Sequence, residues 1–282
     1  MTEVAARVGG APVSVVVPCY RCAAVLPRAV ASVAAQTWRP AEVVLVDDAS
    51  GDGTWPCIGR LAAEYPPGWI VPVRLARNGG PAAARNGGWA RASQPLVAFL
   101  DADDEWLPEK LALHARWMLD RPAVALSGHD RPDHRTLVAA ASRAGIRGAR
   151  RVGPAALLLR NRFHTSGVML RAALVARRFP EPKRRSEDYL FWLQLAWAGL
   201  ELWSLDAPLA RAHKAVYGDG GLSGDLWAME RGELDTYARL AREHRAVAAA
   251  LPALALYSLS KHVVRLARTA ALGRPRPSRA SA

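Results

Sequence analysis

Asp101-Ala102-Asp103 follows the apolar run Leu96–Leu100 and places two carboxylates two residues apart. On an extended backbone, residues i and i+2 point the same way, so both carboxylates are expected at one spot. Two anions there repel each other, and a cation between them relieves the repulsion. Hard oxygen ligands suit Mg²⁺ or Mn²⁺, which usually keep phosphate oxygens and water as further ligands. The triplet reads equally well as an acidic turn closing a strand.

Other segments carry chemistry of a related kind. Asp47-Asp48-Ala49-Ser50-Gly51-Asp52-Gly53-Thr54 also follows an apolar run. Its types suit Asx and glycine turns. A carboxylate such as Asp48 could also accept from a base N–H or from ribose hydroxyls. Asn78-Gly79-Gly80 and Arg85-Asn86-Gly87 flank a helix start. There Arg85 is either a surface cation or a partner for a phosphate. Ser186-Glu187-Asp188-Tyr189 opens another helix. Ser186 fits an N-cap and the two acids complement the dipole; the functional reading makes Asp188 a general base.

The elements needed to position these groups follow from periodicity. Val13–Val17, Glu42–Val46, Val71–Leu75 and Leu96–Leu100 read as buried strands. Helices are expected over Ala23–Gln36, Ile58–Glu64, Ala82–Ser93, Leu107 to about Asp120 and Glu187–Gly199. A short strand is expected at Val124–Ser127, a basic irregular loop over 129–151, and an apolar stretch with a His-Thr-Ser centre at Phe163–Leu170. Alternation of strands and helices implies a mostly parallel sheet covered on both faces. Ligands of such sheets sit beyond the carboxyl ends of the strands. Two strands end there in acids, at Asp47-Asp48 and Asp101–Asp104.

The 282 residues suffice for one α/β domain with a helical appendage. Hydrophobic residues at 51% and charged residues at 22% are globular values and exclude a wholly disordered chain. The formal charge of +13 favours anionic partners without choosing among phosphates, nucleic acid and acidic lipid. Cys19, Cys22 and Cys57 are too few and odd in number for a disulfide framework. The Cys19–Cys22 spacing lacks the second pair or the histidines that zinc would need, and reads as a reduced pair. Residues 1–12 show no secretory signal pattern. The apolar stretch Ala246–Ser260 has fifteen residues, short of the roughly 20 that cross a bilayer. The expected location is therefore cytoplasmic, extending to the inner face of the membrane.

In order and spacing, "VSVVVPCY", "VVLVDDASGDGT", "NGGPAAARNGG", "FLDADD" and "EDYLFWLQLAWAG" resemble the family 2 glycosyltransferases. The resemblance covers roughly residues 13–215. It implies the GT-A fold, a Rossmann-like, mostly parallel α/β sheet with helices on both faces, here followed by C-terminal helices. With it the chain reads as an N-terminal tail over 1–12, a catalytic domain over 13–220, a helical appendage over 221–272 and, from its Pro- and Arg-rich composition, a basic disordered tail over 273–282. The resemblance further implies a metal-dependent inverting transfer of sugar from a nucleotide-sugar donor, UDP-sugars being the commonest, to a hydroxyl acceptor. Pro18, Tyr20 and Asp48 would then surround the base. Asp101 and Ala102 would meet the nucleotide-sugar, with Asp101 shared between ribose and metal and Asp103 on the metal. Arg85 would order the nucleotide site. Asp188 would be the base and Glu187 would support the acceptor. His213 resembles a late family histidine near the diphosphate or metal. Arg21 departs from the asparagine many relatives carry after the tyrosine, Cys19 and Cys22 lie outside the usual pattern, and the acceptor is left open.

Three other readings compete with this one. One is a catalytically silent nucleotide-binding protein of a polysaccharide-assembly complex. A nucleotidyltransferase would show a Gly-rich basic loop after its first strand, where Pro18-Cys19-Tyr20-Arg21 stands. Nucleic-acid binding lacks any recognised motif or aromatic-basic array. Finally, Leu256, Leu259, Val263 and Leu266 share one side of a C-terminal helix, with Lys261, Arg265 and Arg268 opposite. Such a helix either packs on the catalytic domain or lies on an anionic membrane, which would suit a lipid-linked acceptor.

Overall fold

A computed structural model of the chain describes residues 10–130, 145–213 and 225–271. The chain divides into two compact units, Met1–His213 and Lys214–Ala282.

The first unit is built on an eight-stranded sheet ordered β3-β2-β1-β4-β8-β6-β9-β7. The strands are β1 (Ala11–Cys19), β2 (Pro40–Asp47), β3 (Ile70–Arg74), β4 (Leu96–Phe99), β6 (Val124–Asp130), β7 (Ala149–Arg151), β8 (Val168–Arg171) and β9 (Glu201–Pro208). Strands β1, β2, β3, β4, β6 and β9 run one way, while β8 and β7 run against them. The central strands are buried almost throughout, as β-branched runs covered on both faces must be. A separate ribbon pairs β5 (Asp104–Trp106) with β10 (Ala210–Ala212).

The crossover helices are α1 (Leu26–Ala34), α2 (Thr54–Glu64) and α3 (Gly80–Trp89), followed by α4 (Lys110–Leu119), α5 (Pro154–Leu159) and α6 (Glu187–Trp197). Helix α1 buries Leu26, Ala29, Val30 and Val33, a helical stripe against the sheet, and carries Pro27 in its first turn where no N–H is needed. Helix α3 comes closer to the sheet than a side chain would permit. A Cβ on Gly88 would fall inside van der Waals contact with Val16 Cγ1 and Val46 Cγ2. Gly199 (φ +81°) ends the turn after α6, as a left-handed stop requires.

The structure differs from the sequence expectation in four places. The 129–151 segment is not a loop at its ends, because β6 runs on to Asp130 and β7 pairs with β9; 131–144 lie outside the described residues. Strands β5, β9 and β10 were not expected. Helix α2 starts at Thr54, the last residue of the expected turn segment and four residues before Ile58, with Asp52 Oδ1 accepting from the Thr54 N–H to close the turn there. The C-terminal segment is helical as expected, forming α7 (Leu226–Glu243) and α8 (Arg245–Ala271), with Asp225 capping the first through the Ala228 N–H. The apolar stretch is longer than fifteen residues. Over Arg245–Ala267 the helix is long and apolar enough to cross a membrane by length and composition, at a mean hydropathy of 1.4.

The close seat of α3 makes Gly88→Val a sharp test of packing. Overpacking of this kind costs roughly 1–3 kcal/mol. The variant is expected to show that loss in urea unfolding with an unchanged m-value.

Candidate active site

Three neighbouring parallel strands end at one edge. The Asp48 N–H donates to Cys19 O at 2.8 Å and the Leu100 N–H donates to Val16 O at 3.0 Å, so the chain leaves β1, β2 and β4 side by side. Tyr20, Asp48 and Asp101 emerge together there. Pro18 lies in register with Val46, just below Tyr20. The Tyr20 ring is 48% exposed, with the Arg21 guanidinium 5.3 Å from its centroid. Arg21, Ala49 and Ser186 are the described non-glycine residues in the left-handed region, at φ of 49°, 50° and 54°. Each stands next to a predicted site residue. Such backbone costs energy and persists where neighbours enforce it; here Ser50 Oγ accepts from the Arg21 N–H at 3.1 Å.

Asp48 is buried and accepts from the N–H of Gly79 and Gly80, each at 2.8 Å, and from Asn78 Nδ2 at 3.0 Å. Burial pushes its carboxyl upward, against the pull of those two N–H groups. Arg184 holds the same turn from the other side, donating to Asn78 Oδ1 at 2.7 Å and to Asn78 O at 3.1 Å. Gly80 is required at φ +83°, with the Arg184 stem packed against it.

Arg85, one turn into α3, is the buried centre of the site. Its Nη1 donates to Glu187 Oε1 at 2.6 Å and its Nη2 donates to Asp101 Oδ1 at 3.0 Å. Its guanidinium lies 5.5 Å from the Phe179 ring centre, and its buried Nε has no hydrogen-bond partner among the described residues. One cation thus ties the end of β4 to the start of α6. Burial works against its charge, but the surrounding carboxylates Asp101, Glu187 and Asp188 raise its pKa further and keep it charged. Burial pushes Glu187 up to about 7, opposed by Arg85 and helped by Asp188. The Asp188 carboxyl is also raised, mainly by burial, with Arg85 opposing. Asp188 Oδ1 accepts from the Tyr189 N–H at 2.7 Å, and its Oδ2 lies 3.5 Å from Thr165 Oγ1. Ser186 occupies the N-cap position with a left-handed backbone and makes no side-chain cap, contrary to the expected N-cap role.

The Asp101–Asp103 segment is a turn, closed by the Asp104 N–H donating to Asp101 O at 3.0 Å. This corrects the extended-backbone argument for converging carboxylates: the chain bends at Ala102, which is buried, before re-extending as β5. The turn is held from behind. Ser166 Oγ accepts from the Asp101 N–H at 3.2 Å and donates to Asp104 Oδ2 at 2.5 Å, while Trp106 Nε1 donates to Ser166 O at 2.7 Å. Beneath Trp106 lies Lys110, fully buried, its Nζ 3.6 Å from the ring centre and without a hydrogen-bond partner among the described residues. Burial pushes that amine well below its ordinary value. Arg28 Nη2 donates to Asp103 O at 3.1 Å.

His213 is placed by β10, whose Ala212 lies opposite Asp104. Its Nε2 is 3.0 Å from Glu105 Oε2, which also meets Arg211, so it sits beside the Asp101–Asp104 turn and outside the Arg85 group. Cys19, Cys22 and Cys57 are buried and free. Ser166, Trp106 and Arg184 were missed in the sequence. The Ser166–Asp104 contact spans 62 residues and the Arg184–Asn78 contact 106, with no local pattern to reveal either.

The buried cluster generates two predictions. Arg85→Leu leaves Glu187 and Asp101 without their cation, and breaking such a pair costs roughly 3–5 kcal/mol. The loss should be largest at pH 8 and smaller at pH 5, where Glu187 is protonated; urea titrations at both values measure it. In the parent chain Glu187 is raised above its unfolded value of about 4.3, so its contribution is full below that pH and is lost as pH rises through about 7. Glu187→Gln should therefore flatten the fall in unfolding free energy between pH 5 and 7.5 by roughly 2–3 kcal/mol.

The family model for glycosyl transferase family 2 matches residues 14–178. The putative teichuronic acid biosynthesis glycosyltransferase TuaG of Bacillus subtilis is 38% identical over 109 residues, 39% of this chain and 42% of TuaG. The UDP-Glc:alpha-D-GlcNAc-diphosphoundecaprenol beta-1,3-glucosyltransferase WfaP of Escherichia coli is 30% identical over 106 residues, 38% of this chain and 41% of WfaP. The chain thus matches less than half the length of these curated relatives. Among solved structures, the mannosyltransferase PcManGT of Pyrobaculum calidifontis, in complex with GDP-Man and Mn²⁺, superposes with a TM-score of 0.66 at 23% identity, covering 95% of this chain and 77% of that one. TarS of S. aureus in complex with UDP gives 0.58 at 23% identity, covering 80% and 65%. These likenesses establish the GT-A fold. With its strand-end acids, its Arg85 cluster and a match over more than half its length, the chain belongs to glycosyl transferase family 2.

Proposed function

We propose that the chain transfers a sugar from a nucleoside-diphosphate-sugar to a hydroxyl acceptor, with inversion at the anomeric carbon. The observation that carries this reading is Arg85, which sets the Asp101 turn and the Glu187-Asp188 helix start within reach of one guanidinium. One side suits a diphosphate donor and the other a base.

On the donor side, the exposed Tyr20 ring and Pro18 supply a platform for the base, and Asp48 holds the Asn78–Gly80 turn beside it. Asp101 is one-third exposed, and one of its oxygens is taken by Arg85. Among the described residues no group of three or more His, Cys, Asp or Glu is assembled for an ion. The fit is therefore to a cation that takes Asp103 and the second oxygen of Asp101 and fills its shell from phosphate and water. That donor set is hard oxygen and suits Mn²⁺ or Mg²⁺. Bound there, the ion would offset the charge of the departing diphosphate. His213 stands on the same side as a diphosphate contact.

On the acceptor side, Asp188 takes the proton as the acceptor oxygen attacks the anomeric carbon and the bond to the diphosphate breaks. Its raised pKa makes it a stronger base than an ordinary carboxylate, provided it is ionised at the working pH. Glu187, fixed to Arg85, orients the acceptor and the helix that carries Asp188.

A UDP-sugar is the favoured donor, supported by the UDP-Glc in the name of WfaP and the UDP bound to TarS. Polysaccharide assembly is supported by TuaG, and a lipid-linked acceptor by the diphosphoundecaprenol in the name of WfaP.

Two measurements test the reading. Asp103→Asn and Asp188→Asn should each lower transfer at least a hundredfold, and near-parental turnover in the Asp188 variant would remove the base assignment. In thermal shift, UDP with Mn²⁺ should raise Tm while UDP with EDTA should not; stabilisation by GDP or dTDP in place of UDP would reassign the donor.

A further inference from the structure

In the second unit the two faces of α8 are sharply divided. Its inner face lies on α7. Lys261 and Arg265 reach Glu233, Arg265 also reaches Glu230 at 3.6 Å, and Ser258 and His262 are buried between the helices. Its outer face carries Leu256 (72% exposed), Val263 (64%), Val264, Tyr257, Leu259 and Leu266. Every exposed residue from Ala246 to Ala267 is uncharged. The cations are thus turned inward and the apolar stripe outward, over about 34 Å of helix.

We infer that this stripe is a membrane-docking surface, with α8 lying in the headgroup boundary of an anionic bilayer. The inference deepens the lipid-linked acceptor reading and rests on it for its biological sense. The charge supports a bilayer over a second copy of the chain. Apart from Lys261 and Arg265, which α7 neutralises, residues 244–282 hold five Arg and no Asp or Glu, so two such segments repel each other while anionic headgroups attract both. The inner face supports lying over crossing. To span, α8 would have to leave α7, stripping buried Glu230 of its partners and carrying Lys261 and Arg265 into hydrocarbon. Lying flat, the helix keeps α7 and buries only the uncharged stripe.

The test uses the full chain and vesicles of phosphatidylcholine with or without 30% phosphatidylglycerol. Parental protein should sediment with the anionic vesicles and much less with the neutral ones. The double variant Leu256→Glu, Val263→Glu changes outward positions only, and circular dichroism should show it folded. Its partition should fall at least about tenfold. The inference is overturned if the parental protein stays in the supernatant, if the double variant sediments equally, or if light scattering shows a parental dimer that the variant abolishes. Sedimentation needs no turnover, so a failure of the transferase reading shows separately, as absent transfer to a soluble acceptor by both proteins.

Discussion

A guanidinium buried between two carboxylates is the constraint on which the site depends. Arg85 has lost its water, and only Asp101 and Glu187 make its burial tolerable. The backbone follows from this. Helix α3 must lie flat on the sheet to aim Arg85 at the end of β4, and Gly88 allows that approach against Val16 and Val46. The start of α3 must then be fixed along the chain, and Asp48 fixes it by accepting from Gly79 and Gly80. Arg184 closes the circuit by gripping Asn78 two residues before the segment that leads to Glu187. Strand-end acids that look independent in the sequence are one connected structure.

The same network separates two electrostatic environments within a short distance. Asp101 is partly open and neutralised on one oxygen by Arg85. Glu187 and Asp188 are shielded, and burial raises both. A partly open carboxylate with a free oxygen suits a cation; carboxylates pushed upward by burial suit proton transfer. The division arises from burial and from which atoms of Arg85 each acid meets.

Much of this was legible in the sequence, for identifiable reasons. The central parallel strands are β-branched runs buried on both faces, so Val13–Val17 and Leu96–Leu100 announced themselves. The acids at their ends followed from the rule that parallel sheets bind ligands at their carboxyl edge. What escaped depends on contacts between distant residues. Ser166 supports the Asp101 turn across 65 residues, and β5 pairs with β10, about a hundred residues on. The convergence of Asp101 and Asp103 was argued from an extended backbone, and the Asp104 to Asp101 hydrogen bond makes that segment a turn. The division of α8 was visible as a wheel of apolar and basic residues, but the wheel alone could not say which face α7 would cover.

The Arg85–Glu187 bond joins residues 102 apart in the chain. During synthesis at about 5–20 residues per second, Arg85 leaves the ribosome roughly 5–20 s ahead of its second partner. For that interval Arg85 has only Asp101 of its two partners to meet, and β1 to β4 can dock around a cluster that is still open on its Glu187 side. The arrival of α6 closes it. The Arg85 cluster is thus completed in chain order, with the Asp101 half synthesised first and Glu187 added last.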